Sequence, residues 1–274
     1  MKILNLAFLI MLFSYASMAL AESKTSSLSK ERKTFLTNLA AVSGVAAYGF
    51  INWDYGDSGF QSSSEGWFSK NTKEGGSDKL GHFYTGYSVS RSIYPIYLKW
   101  GYTKEEAIKQ SFLTSFILTT AMEIGDGFSS EFGFSHEDFV ANSIGQLGAY
   151  ILDTHPKIDK ILDFRMEYNF SKGATSDPLT DYESTKYLAV LKMSGVEQFY
   201  LDQGFSRYLE FHLGYYVRGF ENQIRHDDQR NIYVGVGINL AQILYDLSYK
   251  KTSKIFNYYQ TPYTYLEARK NFNR

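Results

Sequence analysis

Asp78 and His82 stand four residues apart in the stretch DKLGHF, residues 78 to 83, a spacing that puts both on one face of a helix. An imidazole beside a carboxylate can act as general acid or base, or ligate a metal. Glu123 and Asp126 are three apart where a later apolar segment ends. Asp138 and Asn142 are four apart near the start of the next, with Gly145 further along. Their neighbours are apolar: Leu80, Phe83, Ile117, Leu118, Met122, Phe139, Val140 and Ile144. Buried carboxylates are costly unless paired or hydrogen-bonded, so these polar groups are expected to converge from three helices.

Two chemistries suit such a set. In the first, the groups form a buried Asp/His/Glu/Asn network that fixes helix register in a membrane-associated structural or binding protein. The alternative is an enzyme acting on an envelope lipid or lipid-linked glycan. There His82 would be the acid or base, oriented by Asp78, while Glu123, Asp126 and Asp138 hold a divalent metal or a second proton. His82, Glu123, Asp126 and Asp138 are the metal candidates, a donor set for a hard or borderline cation. Plainer roles exist for single members. Asp78 can interact with the helix dipole, Ser135 and Asp138 resemble a capping box, and His82 can be a satisfied core histidine. The chain has no HExxH motif, no G-x-S-x-G elbow and no phosphate-cradling glycine loop.

The elements that must hold these residues are readable from periodicity. Residues 35–53, 78–100, 104–124 and 135–152 read as four apolar helices, separated by a Gly- and Ser-rich loop at 54–77 and a glycine-rich stop after Glu123. After Pro156 the period changes to two. Leu162, Phe164, Met166 and Tyr168 alternate with Asp163, Arg165 and Glu167, which read as the wet face of a strand. Strands are likewise expected at 185–193, 209–220, 231–240 and 263–272. The fold class is therefore α+β: an N-terminal bundle of about four helices over 35–155, packed against a C-terminal antiparallel meander of about five strands over 156–274. Five strands are too few for a single-chain membrane barrel, so the helices are expected to cover the apolar sheet face.

Residues 1–21 combine one lysine, a short apolar run and Ala19-Leu20-Ala21, the pattern of a signal peptide cleaved before Glu22. A polar segment, 22–34, follows. The chain contains no cysteine, which excludes disulfides and thiolate metal sites. With 28 basic and 29 acidic residues, nothing in the charge balance suggests a nucleic-acid partner. The content of 23 Tyr and 21 Phe is high, and tyrosine suits half-dry sheet surfaces and membrane interfaces. An exported protein of the periplasm or outer membrane, with membrane or lipid as partner, is expected. Integral membrane helices are a further alternative, against which stand the mean hydropathy of −0.29 and the interruptions by Arg91, Pro95 and Glu123.

DKLGHF, followed by MEIGDGFSSEFGFSHEDFVANSIG, resembles the YfiM-like family of predicted periplasmic lipoproteins of unknown function. More distantly it is similar to VanZ-like proteins, with an Asp-Lys-x-x-His-Phe helix, a helix-ending glutamate and an Asp-x-x-x-Asn segment, here Asp138 to Asn142. Glu65-Gly66-Trp67-Phe68 resembles the Trp-containing segment that precedes the Asp-Lys motif in YfiM-like proteins. The resemblance covers about residues 35 to 155 in pattern, and more weakly the strands beyond. It implies an envelope setting and a shared polar core, and it supplies no reaction. The missing cysteine departs from the lipoprotein pattern.

Overall fold

The computed structural model describes residues 28–170, 180–196, 204–220 and 228–273. The expected signal peptide, 1–21, and the first part of the segment 22–34 lie outside them. The described elements are α1 (Lys30–Asn52), β1 (Ser62–Ser63), α2 (Ser77–Lys99), α3 (Lys104–Asp126), β2 (Phe134–Ser135), α4 (His136–Thr154), α5 (Pro156–Asp159), β3 (Leu162–Tyr168), β4 (Thr185–Lys192), β5 (Leu209–Arg218), β6 (Gln229–Ile238), α6 (Leu240–Asp246), α7 (Lys250–Ser253) and β7 (Tyr265–Asn271). The α+β class follows. Two compact units divide the chain, Met1–Gly66 with Thr85–Thr154, and Trp67–Tyr84 with His155–Arg274.

In the helical unit, local signals set the helix starts. Ser29 caps α1 by accepting from Arg32 N–H, and Thr103 and Glu106 form a reciprocal capping box on α3. The residues between α1 and α2 that read as a long loop are tied down as far as Gly66. Gly56 and Ser58 N–H donate to Phe128 O, Gln61 N–H donates to Gly127 O, and β1 pairs in parallel with β2. Gly86 lets α2 approach α4 closely. A Cβ there would lie 2.3 Å from Asn142 O on α4, and the Gly86 carbonyl accepts from Ser115 Oγ of α3 at 3.0 Å.

This unit's interior holds many polar groups beside its apolar ones, and much of its exterior is apolar. Ser111, Thr114, Ser115, Thr119 and Glu123 of α3 and Asn142 and Gln146 of α4 are buried. Leu113 and Ile124 of α3 and Val140, Ile144, Leu147 and Ile151 of α4 are exposed, as are Phe35, Leu39, Phe50 and Ile51 of α1. Val140 and Ile144, read from the sequence as apolar surroundings of the polar set, thus face outward. Ile93, Ile96, Tyr97, Trp100, Tyr102 and Ala107 form a buried apolar cluster.

The second unit is built on a five-stranded antiparallel meander in the order β3-β4-β5-β6-β7. In register, Phe164 pairs with Ala189, Ala189 with Leu213, Leu213 with Val234 and Val234 with Ala268, so these residues form one row on one face. The adjacent row, on the other face, runs through Arg165, Leu188, Gly214, Tyr233 and Arg269. The chain leading into β7 also reaches the free edge of β3: Met166 N–H donates to Tyr258 O and Gln260 N–H to Met166 O, both at 2.9 Å.

The two faces are inverted relative to the sequence reading. Asp163, Arg165 and Glu167, expected on the wet face, are buried, while Phe211, Leu213, Val234, Val236 and Leu266 are exposed, Leu213 and Val234 at 57% each. The expectation that the apolar sheet face would be covered is therefore corrected at Phe211 and Val234, both exposed. Phe164 is the exception, half-buried and in edge contact with Phe83 at 5.0 Å between ring centroids. The physical reason lies in the opposite face. Its charges occur in both signs and satisfy one another across strands, so they can be enclosed.

Candidate functional site

Four of the sequence-derived site residues lie in the helical unit. Asn142 Nδ2 donates to Glu123 Oε1 at 3.0 Å, both side chains buried, which pins α4 to α3. One turn on, Gln146 Nε2 donates to Thr119 Oγ1 at 2.9 Å. Asp126 accepts from the hydroxyl of Tyr55 at 2.8 Å. That ring lies between Gly49 and Gly125, where a Cβ on either would come within 2.1 Å of it. Asp138 N–H donates to Ser135 Oγ at 3.2 Å, the helix-capping half of the expected capping box. Arg91 Nη1 meets Asp153 Oδ1 at 2.7 Å. Arg91 and Glu123, which interrupt the apolar helices in the sequence, are thus paired inward. Glu123 and Asp126 each accept a hydrogen bond from a neutral donor, an arrangement that fixes helices in place.

Sequence reasoning passed over Glu137, which anchors the loop before α2. Its Oε1 accepts from Ser64 Oγ at 2.7 Å and from Gly66 N–H at 3.1 Å. Burial raises the carboxyl pKa, but the hydrogen bonds from Ser64, from the backbone at the helix start and from Gly66, with His136 beside it, outweigh burial and hold it at about 2. A depressed carboxylate contributes stability above its unfolded value, and the contribution is lost as pH falls through the folded pKa. The tether at 64–66 should therefore hold above pH 4.5 and loosen as pH falls toward about 2. The Gly66 amide resonance should titrate in that window, and Glu137→Gln should abolish the titration.

Asp78 and His82 belong to the other unit, on the first turns of α2. Asp78 Oδ2 pairs with Lys79 Nζ at 2.6 Å, both residues buried, while His82 is half-buried. The same helical stretch packs on the sheet through Phe83, and through Tyr84, whose hydroxyl donates to Tyr258 O at 2.8 Å.

The larger cluster lies on the buried sheet face, where the sequence reading placed water. Arg165 bridges three elements, reaching Asp163 Oδ2 at 3.1 Å, Glu210 Oε1 at 3.0 Å and Gln260 Oε1 at 2.9 Å. Lys192 Nζ meets Asp163 Oδ1 at 2.6 Å, and His212 Nε2 meets Glu210 Oε1 at 2.9 Å. Towards the other end of the strands, Lys186 contacts Glu267 at 2.7 Å and the Tyr265 hydroxyl at 2.9 Å, and that hydroxyl donates to Glu167 at 2.6 Å. The signal in the sequence was the mixture of signs at spacing two, Asp163-Arg165-Glu167, with Lys192 and Glu210 on neighbouring strands.

On the opposite face a groove of about 600 Å³ runs between the first turns of α2 and the outward row of the sheet. Leu80 and Phe83 form one wall, Phe164, Leu213 and Ile232 the floor, and Arg230 stands beside Phe68 and Phe272. Its residues come from separate elements, so no local motif announces it.

No curated protein and no solved structure matches the chain. An exported protein of the periplasmic envelope is the setting supported by a family match. Residues 64–154, about a third of the chain and the span that holds Asp78, His82, Glu123, Asp126, Asp138 and Asn142, match the family described as predicted periplasmic lipoprotein, DUF2279.

Proposed function

We propose that this is a membrane-inserted structural or binding protein of the cell envelope, with the outer membrane as its site. Its aliphatic exterior faces lipid and its charged and amide groups hold the interior together. The observation that carries this reading is the inversion of the sheet, with Arg165, Glu210 and Lys192 buried and Leu213, Val234 and Leu266 exposed. In water such a sheet would expose a large contiguous apolar patch while enclosing its charges, the costlier choice on both faces. In lipid it is the favoured choice, since outer-membrane strands alternate apolar outside with polar inside.

Several features agree. β5 and β6 have ten residues each, the length of a tilted membrane-crossing strand; five strands do not close a barrel alone, and the segment at 258–260, hydrogen-bonded to Met166, covers the free edge of β3. α1 is long and apolar enough to cross a membrane. The lipid-facing stretch of α4, Val140 to Ile151, carries its large aliphatic side chains, Val140, Ile144, Leu147 and Ile151, on the outer side and small or amide residues, Ala141, Asn142, Gly145, Gln146 and Ala149, inside. This also accounts for the low mean hydropathy, because inward polar residues count against it without meeting lipid. Around α6 and α7, exposed Tyr245, Leu247, Tyr249 and Ile255 lie beside Lys250, Lys251 and Lys254, a composition suited to the headgroup region.

The native chain has no cysteine, so single-cysteine variants report cleanly. In proteoliposomes, Val234→Cys and Val236→Cys should resist a membrane-impermeant maleimide and react after detergent is added. Tyr263→Cys, at a highly exposed position before β7, should react in both. Rapid labelling of Val234→Cys in intact proteoliposomes would overturn the proposal.

A further inference from the structure

We infer that the groove between α2 and the outward sheet row binds one acyl chain of an anionic membrane lipid, with the headgroup against Arg230. The inference rests on the membrane reading above and adds a ligand to it. The groove's volume of about 600 Å³ falls within the roughly 300–1,000 Å³ of small-ligand sites. Leu80, Phe83, Phe164, Leu213 and Ile232 offer an acyl chain dispersion contacts and no hydrogen-bonding side chain. Leu213 and Ile232 belong to the same outward face as Val234 and Val236, so a lipid tail can enter laterally from the surface that faces the bilayer.

Arg230 supplies the charge complement. It lies where β6 begins and β7 ends, which is where a strand crossing a membrane meets the headgroups. Its described hydrogen-bond partners are neutral oxygens. Nε donates to Asn273 Oδ1 at 2.7 Å and Nη1 to the Phe68 carbonyl. These bonds orient the guanidinium without neutralising it, and a guanidinium so held suits a phosphate oxygen. A neutral lipid would satisfy the apolar walls equally well, so Arg230 is what selects headgroup charge.

The test uses the full-length protein in detergent micelles with phosphatidylglycerol carrying a diazirine in its acyl chain, and the matching phosphatidylcholine as comparator. Cross-links should concentrate on residues 80–84, 164 and 213, be competed by unlabelled phosphatidylglycerol, and be stronger for the anionic probe. Leu213→Trp, or Ala189→Phe should that variant fail to fold, should cut labelling at 164 and 80–84 several-fold while leaving labelling at Val236 unchanged. Arg230→Gln should remove the anionic preference and leave acyl labelling in place. Cross-links at Val236 with none enriched in the groove would overturn the inference and leave the membrane reading standing. Absence at both, together with water-accessible Val234→Cys, would remove both. Protein–protein cross-links through the groove would assign it to a second copy, and an anionic preference that survives Arg230→Gln would refute the headgroup assignment.

Discussion

Arg165→Ala should destabilise the sheet by about 3–5 kcal/mol, the cost of removing one partner from a buried ion-pair cluster. The guanidinium is 2% exposed and contacts Asp163, Glu210 and Gln260. Truncation leaves Glu210, with no exposed side-chain surface, to His212 as its side-chain partner among the described residues, and Asp163 to Lys192. The measurement is denaturant unfolding in a fixed detergent, followed by hydrogen exchange on β3 and β5. A double-mutant cycle with Glu210→Gln separates the pair from the general loss of packing, since contacting residues in one network couple by about 0.5–3 kcal/mol. A loss below about 1 kcal/mol would mean that water or detergent reaches the cluster, and the enclosed polar interior would be wrong.

That cluster also shows where the sequence stopped being informative. The strands were readable because period two separates two sets of residues, and β3 to β7 fall where alternation placed them. Alternation does not say which set is inside. Assigning Asp163, Arg165 and Glu167 to water assumed that water is what surrounds the sheet, and the buried faces reverse that choice. The helices repeat the case: Val140 and Ile144 looked like core, yet they face out while Asn142 and Gln146 face in. The contact of Glu123 with Asn142 could be anticipated, because both sit at fixed helical spacings on segments whose ends were clear. Tyr55, which holds Asp126, lies in a Gly- and Ser-rich stretch without periodicity. The groove draws its walls from residues as far apart as Leu80 and Ile232, which only the completed meander brings together.

Val234→Arg should cost about 2–4 kcal/mol in a lipid bilayer, the penalty for a cation at the midplane of a lipid-facing strand. Val234 sits midway along β6 and is 57% exposed. In water the same substitution at an exposed position would change stability by no more than about 0.5 kcal/mol. The size of the effect therefore discriminates between the two solvents. Depth adds an internal control. Ile238 ends the same strand on the same face, where a cation costs roughly 0–1 kcal/mol, so Ile238→Arg should be much milder than Val234→Arg. Both variants are measured by reversible unfolding from liposomes. Leu213, directly opposite Val234 in the register and equally exposed, should follow the midplane value when changed to Arg. Equal and small losses at all three positions would mean that the outward face meets water, and the inverted sheet would then need a protein cover in place of lipid.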